Sequence, residues 1–223
     1  MDKPAVKGSY ERAYHDEVHG RLGDTPRYYD LKARQAVGDY FADVDPRGDV
    51  FEFGLGLGKN VARLPHASGF DVSEYARSFS ASKGVRVYAS MDDVPRGAFD
   101  TVLCSHVLEH VEQPLATLEL LGSLLRPNGR LVVVLPAEEH APSTLTVDVH
   151  QHLYAWTFRT INNLLDRAGF EVLHNRYVYR TAQFKLRHVA RLSYRLYDLQ
   201  TRALGRLLDR KNLVVVARAK TAR

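Results

Sequence analysis

The sequence has 223 residues, 45% of them hydrophobic and 26% charged, which predicts a single globular domain over residues 1–223. It has no apolar run long enough to span a membrane and no apolar stretch at its start, and its single cysteine, Cys104, excludes an intrachain disulfide, so we expect a cytoplasmic protein. The net charge of +5 comes from residues 181–211, where eight Lys or Arg and two Asp leave the rest of the chain slightly negative, which argues against a uniformly basic nucleic-acid-binding face.

Strand-like and helix-like stretches alternate along the chain, a pattern typical of a parallel sheet covered by helices. Two helices are predicted first, at about 9–21 and 25–41, and we expect residues 1–45 to cover the ligand sites. Strands are then predicted at about 49–53, 68–72, 85–89, 99–105, 130–135, 170–179 and 212–219. Between them we expect a short helix ended by Pro65 and further helices at about 73–84, 114–125 and 157–167.

A glycine-rich turn runs from Glu52 to Gly58, between the first predicted strand and the helix expected after it. Glycine allows a sharp turn and lets a ligand lie close to the backbone, although many such turns serve packing alone. A dinucleotide site would need a third glycine where Lys59 stands, and Glu52 would repel a pyrophosphate. A carboxylate instead suits a ligand with an ammonium and a sulfonium, which favours S-adenosylmethionine. Asp71, after the second predicted strand, could bind both hydroxyls of a ribose.

Six motifs in consistent order give the sequence a resemblance to the class I S-adenosylmethionine-dependent methyltransferases, over about residues 49–172. The sequence is similar to the bacterial small-domain type with a Val-Leu-Glu-His signature, found here at 107–110. The other matching stretches are the glycine turn, Asp71, the loop at 90–95, the turn at 125–131 and the region from His152 to Phe170. The resemblance implies a Rossmann-like, doubly wound α/β sheet of seven strands, mostly parallel with an antiparallel last strand, and with helices on both faces.

The resemblance also implies which residues bind the cofactor S-adenosylmethionine, whose product is S-adenosylhomocysteine. The expected cofactor-binding residues are Glu52, Gly54, Gly56 and Asp71, then Ser90, Met91 and Asp92 in the adenine loop, and Ser105 and His106 after the fourth strand. The interval from Gly54 to Asp71 is shorter than the family pattern, and Ser90 replaces a more usual acidic or amide side chain.

The methyl acceptor is expected to be a small molecule, such as a sugar or a secondary metabolite, with a hydroxyl or amine group. A hydroxyl needs a base, and the candidates are His106, His150 and His152, each of which could instead only line the site or a loop. His106 and His110 lie one helical turn apart, but no third ligand is evident, so no metal is expected. The strand ends in Cys104-Ser105-His106 and not in an Asn-Pro-Pro-Tyr type motif, which disfavours nucleic acid. The alternatives are a methyltransferase-like binding or scaffold protein without catalysis, and a nicotinamide-dependent oxidoreductase.

Residues 181–211 are predicted to form an inserted basic amphipathic helical segment. Apolar residues recur at helical spacing and the basic residues fall largely outside that stripe; the stripe consists of Val189, Leu192, Leu196, Leu199, Ala203 and Leu207. The segment could pack on the domain through the stripe with its charged face in solvent. It could also form a lid, a homodimer interface through 184–210, or a contact with anionic lipid or a phosphorylated substrate.

Overall fold

The computed structural model describes residues 25–138 and 151–220, together with Arg12, His15 and Leu22. The chain divides into two compact units, residues 1–95 and 96–223. The single domain expected from the sequence stays a prediction. The helix predicted at 9–21 lies almost wholly outside the described residues.

The first unit contains three parallel strands in the order β3-β2-β1. Its longest described helix begins with Pro26 in the first turn, as predicted, because proline lacks only an N–H that has no partner there. The second helix is capped by Ser73, whose side chain accepts a hydrogen bond from the Ala76 N–H. The elements are α1 (Pro26–Tyr40), β1 (Val50–Phe53), β2 (Ala67–Phe70), α2 (Glu74–Ser82) and β3 (Arg86–Val87), followed by a 3₁₀ turn at Met91–Asp93.

The short helix predicted after the glycine turn is wrong, because residues 54–66 form successive turns instead. Gly58 donates to the Leu55 carbonyl and its own carbonyl accepts from Val61 and Ala62, so single turns close without propagating. Three glycines with positive φ occupy the start of this stretch and Pro65 lies near its end, which leaves too few residues for a stable helix.

The second unit is built on four strands in the order β4-β5-β7-β6. β4 and β5 are parallel, and β7 runs antiparallel to both of its neighbours. The centres of β4, β5 and β7 are fully buried runs of apolar residues, as expected for strands covered on both faces. The elements are β4 (Phe99–Ser105), α3 (Pro114–Leu124), β5 (Leu125–Pro136), α4 (Phe158–Arg167), β6 (Phe170–Tyr179), α5 (Gln183–Leu186), a 3₁₀ turn at Val189–Arg191, α6 (Tyr194–Leu207) and β7 (Lys211–Ala219).

The basic segment is helical as predicted, but the face that it buries is not the predicted one. Tyr197, Thr201 and Gly205 of α6 are buried, whereas Leu199 and Leu207 of the apolar stripe are 62% and 80% exposed. The interpretation that this stripe packs on the domain is therefore wrong. Gly205 has no side chain, so the helix can lie directly on the backbone that follows β6. Hydrophobic periodicity alone does not reveal such a contact.

The described residues of the two units contain seven strands. β7 is antiparallel to both of its neighbours, β5 and β6, and the other described strand pairs are parallel. This agrees with the expected fold class. No helix in the described ranges has the length and apolar character needed to cross a membrane.

Candidate functional site

The glycine turn of the first unit has a backbone that glycine is needed to form. Gly54, Gly56 and Gly58 have φ values of 74°, 51° and 71°, in the left-handed region that costs other residues strain. The Gly54 and Leu55 N–H groups both donate to the Phe70 carbonyl at 3.0 Å, which ties the turn to the end of β2. A Cβ at Gly56 would meet no atom within 4 Å, so the backbone of the turn has open space beside it.

Asp71 lies directly after β2, and its carboxylate is held by two backbone N–H groups. Gly56 donates to Oδ2 at 2.7 Å and Ser73 donates to Oδ1 at 2.9 Å. The first bond joins the glycine turn to the residue that follows β2, and the second joins that residue to the cap of α2. Both contacts fix the orientation of the carboxylate, which is the group expected to accept hydrogen bonds from a ribose.

Glu52 lies on β1 and is completely buried. Its Oε1 accepts a hydrogen bond from the Asn60 side-chain amide at 2.5 Å, and Lys59 Nζ donates to the other end of that amide at 2.8 Å. Burial raises the pKa of Glu52 to about 8, although the charge of Lys59 and the Asn60 hydrogen bond oppose the change. Burial also lowers the pKa of Lys59, against the attraction of Glu52. The side chain can therefore change its charge near neutral pH.

The second carboxylate oxygen of Glu52, Oε2, is buried and has no hydrogen-bond partner. A buried acceptor without a donor is costly, and a cationic group with N–H donors would satisfy it. S-adenosylmethionine carries an ammonium and a sulfonium, so this donor set fits the expected cofactor. Glu52, Asp71 and the glycine turn are the residues that would hold it.

The loop expected to bind adenine is a single 3₁₀ turn, Met91–Asp93. The Ser90 hydroxyl accepts from the Asp92 N–H at 3.2 Å, and the Asp93 carboxylate accepts from the Ser90 N–H at 3.2 Å. Ser90 therefore caps this turn, which explains a small hydroxyl residue there. The Asp92 side chain is exposed and Met91 is half-buried. Their contact with adenine stays a prediction.

In the second unit, Ser105 is the last residue of β4 and His106 follows it directly. Ser105 is buried, and its hydroxyl has no hydrogen-bond partner among the described residues. His106 has a φ of 56°, an uncommon conformation for a residue other than glycine, and its N–H donates to the Val134 carbonyl at 2.9 Å. Backbone of this kind is often found where function requires it.

The His106 imidazole lies beside a buried carboxylate. Its Nδ1 is 3.4 Å from Oε1 of Glu109, and the Glu109 side chain is completely buried while His106 is 38% exposed. Burial acts to raise the pKa of Glu109, but the neighbouring His106 and His110 outweigh it and lower that pKa. An ionised carboxylate therefore supports an accessible imidazole, the arrangement expected for a histidine base.

His152 forms a second pair of this kind, with its Nδ1 2.7 Å from Oε1 of Glu138. Its ring also packs edge-on against His110, with centroids 4.8 Å apart. Potential ligand atoms of Glu109, His110 and His152 all lie within 4.8 Å of one another, so these three residues could hold a divalent cation. His152, which is far from Glu109 and His110 in the sequence, completes this set of three potential ligands, and the spacing of residues along the chain did not indicate it. The expectation of no metal stays a prediction, and His150 lies outside the described residues.

Sequence reasoning missed the partners of the site residues. Asn60 and Lys59 are close to Glu52 because the turns after β1 fold back, and Glu138 meets His152 across fourteen positions. Glu109 could have been found, because it follows His106 at the i,i+3 spacing that brings side chains together.

Known proteins resemble this chain in sequence and in fold. A family model described as "Methyltransferase domain" matches residues 26–175. The ubiquinone biosynthesis O-methyltransferase of Xanthomonas euvesicatoria is 35% identical over 96 residues, 37% of this chain and 40% of that protein. The mitochondrial ubiquinone biosynthesis O-methyltransferase of Schizosaccharomyces pombe is 31% identical over 123 residues, 47% of this chain and 43% of that protein. The matches thus span less than half of these curated relatives.

A solved structure shows the same fold. It is described as a SAM-dependent methyltransferase and possible histamine N-methyltransferase from Thermotoga maritima. Its TM-score is 0.61 at 18% identity, covering 93% of this chain and 97% of that one. The family match covers well over half of the chain, and the glycine turn, Glu52 and Asp71 fall inside it. The protein belongs to the S-adenosylmethionine-dependent methyltransferases.

Proposed function

We propose that the protein transfers a methyl group from S-adenosylmethionine to a hydroxyl oxygen of a small molecule, with His106 as the base. The observation that carries the proposal is the pairing of the accessible His106 imidazole with the buried Glu109 carboxylate. A hydroxyl must lose its proton on methylation, whereas a neutral amine can react without a base. The names of the curated relatives, which are O-methyltransferases, support the same acceptor atom.

The cofactor, when bound, supplies a methyl group on a sulfonium that is already activated. The chain then has to hold the acceptor and remove its proton. Since Nδ1 of His106 faces Glu109, Nε2 is the atom that takes the hydroxyl proton while the oxygen forms its bond to the methyl carbon. The Glu109 carboxylate stabilises the imidazolium that results. A base of this kind contributes about 10²–10⁴-fold to the rate.

The test is methyl transfer to a panel of phenols, catechols, sugars and amines, followed by mass spectrometry of the products. We expect a methylated hydroxyl compound and no methylated amine. His106→Gln should then lower kcat by about 10²–10⁴-fold. Methylation of amines alone, or full activity of His106→Gln on a hydroxyl acceptor, would refute the proposal.

His152 is the second candidate base, because its bond to Glu138 is shorter than the contact between His106 and Glu109. The two assignments separate in a matched pair of variants. If His106 is the base, His152→Gln changes KM or stability and leaves most of kcat. If His152 is the base, the large loss of kcat moves to that variant.

A further inference from the structure

The outer face of α6 presents leucines to solvent. Leu192, just before the helix, is 88% exposed, and Leu199 and Leu207 are 62% and 80% exposed. Leu196 belongs to the same face at 44% exposure. These residues are spaced by three, four or eight positions, so they form one stripe along the helix. A contiguous apolar stripe of this kind on a surface usually marks a contact with another body.

The opposite face of α6 is fixed to the second unit, so the leucines point outward in a defined orientation. Gly205 lies so close to the chain after β6 that an added Cβ would be 2.6 Å from the Arg180 nitrogen. Arg180 Nη1 is 2.7 Å from Asp198 Oδ1 and donates to the Thr201 hydroxyl at 2.8 Å. Tyr197 is completely buried. A rotation of the helix that buried the leucines would break all of these contacts.

The surface around the leucines is positive. Arg191, Arg195 and Arg206 each directly precede a leucine of the stripe, and all three are exposed. The two acidic residues of the segment are already engaged, Asp198 with Arg180 and Arg202, and Asp209 with Lys211. The acids therefore neutralise cations on the inner side or in the following turn. Arg206 also lies over the Tyr179 ring, 5.8 Å from its centroid, but neither acid of the segment neutralises the charge of the arginines beside the leucines.

We propose that the outer face of α6 docks on an anionic lipid surface. Leucines beside arginines match the boundary between acyl chains and phosphates, where the apolar side chains enter the lipid and the guanidinium groups bind headgroups. A second copy of the chain fits poorly, because a twofold contact through this stripe would bring the arginines of both copies together. Charge complementarity thus selects the lipid.

The test is the binding of the full chain to vesicles of phosphatidylcholine alone or with about one-third phosphatidylglycerol, a composition that supplies anionic headgroups. We expect binding only to the anionic vesicles, weakened by added salt. Arg191→Glu/Arg195→Glu should weaken it at least about 25-fold, since each arginine near such a surface contributes about fivefold. Leu196→Ser/Leu199→Ser should weaken it without any change in charge.

The matched control is Arg159→Glu/Arg167→Glu, which makes the same charge change at exposed positions of α4. Thermal unfolding must show all variants folded. Equal loss in the control, or no vesicle binding by the wild type, would overturn the proposal. Binding to soluble polyglutamate that matches binding to vesicles and ignores the leucine variant would overturn it in favour of an acidic protein. A dimer lost in the leucine variant, without vesicle binding, would identify a second copy as the occupant.

Discussion

The affinity for S-adenosylhomocysteine should depend on pH through Glu52. Burial raises the pKa of this carboxyl to about 8, so in the free protein it is neutral at lower pH. An ammonium bound beside it favours the ionised form, so binding must expel the proton. Each pH unit below about 8 then costs up to tenfold in affinity, and the loss from about pH 8 to about pH 6 reaches roughly 50-fold. Above about pH 8 the affinity should level off.

The matched variant is Glu52→Gln, which keeps an oxygen to accept from Asn60 but cannot ionise. Calorimetric titrations at about pH 6 and about pH 8, in buffers of different ionisation enthalpy, measure both the affinity and the released proton. We expect Glu52→Gln to bind weakly at both pH values and to release no proton. Asp45→Asn, which removes a surface carboxylate paired with Arg47, should keep the wild-type dependence. Equal pH dependence in wild type and Glu52→Gln would refute the role given to this carboxylate.

The same carboxyl should make the free energy of unfolding of the unliganded protein fall as the pH rises, whereas the affinity for S-adenosylhomocysteine should rise. Its folded pKa lies above the ordinary value of 4.5, so the folded state holds a proton that the unfolded state has lost. The stability that Glu52 contributes is complete below that ordinary value and is lost as the pH rises to about 8. Relative to wild type, Glu52→Gln should therefore gain stability between about pH 5 and about pH 8 in denaturant titrations.

Three further predictions concern packing. Gly58→Ala should lower the free energy of unfolding by about 2–4 kcal/mol, because its φ is left-handed and its Cβ would lie 2.8 Å from Ser80 Oγ. Gly97→Ala has the same left-handed strain but open space around the Cβ, so it should lower the free energy of unfolding by only about 1–2 kcal/mol. Equal losses for the two variants in chemical denaturation would contradict the contact with Ser80. Gly205→Ala should cost about 1–3 kcal/mol because the added Cβ meets backbone; an unchanged melting temperature would contradict the packing of α6. The Cys104 thiol, fully buried, should react with a thiol reagent only at the rate of opening, and rapid labelling of the native protein would contradict its burial.

The strands and their order along the chain could be predicted from the sequence, because short apolar runs such as Val102–Cys104 are typical of strands that are covered on both faces of a sheet. The helix caps could also be predicted. The Thr157 side chain caps α4 by accepting a hydrogen bond from the Thr160 N–H, as its position before the apolar repeat indicates. Glu52 and Asp71 could be singled out as candidates because each lies near a strand end that the glycine turn or a helix cap defines.

The environment of the site residues could not be predicted, because it depends on chain reversals. No pattern places Asn60 against Glu52, since the turns between β1 and β2 set that distance. Periodicity located α6 but could not say which face is covered. Its buried face uses Thr201 and Gly205, small residues that count little in hydropathy yet allow backbone to approach backbone.

The turns that replace a helix after β1 also change the electrostatic field at the glycine turn. A helix beginning there would direct its dipole, equivalent to about half a positive charge, at any bound group. Pyrophosphate sites depend on that field, and a cationic ligand would have to overcome it. Residues 54–66 align no such row of peptide dipoles, so the local field comes from side chains, chiefly Glu52 and its counter-charge Lys59. Discrimination between a phosphate-bearing and a sulfonium-bearing nucleotide would then be encoded in the shape of the main chain as much as in the carboxylate.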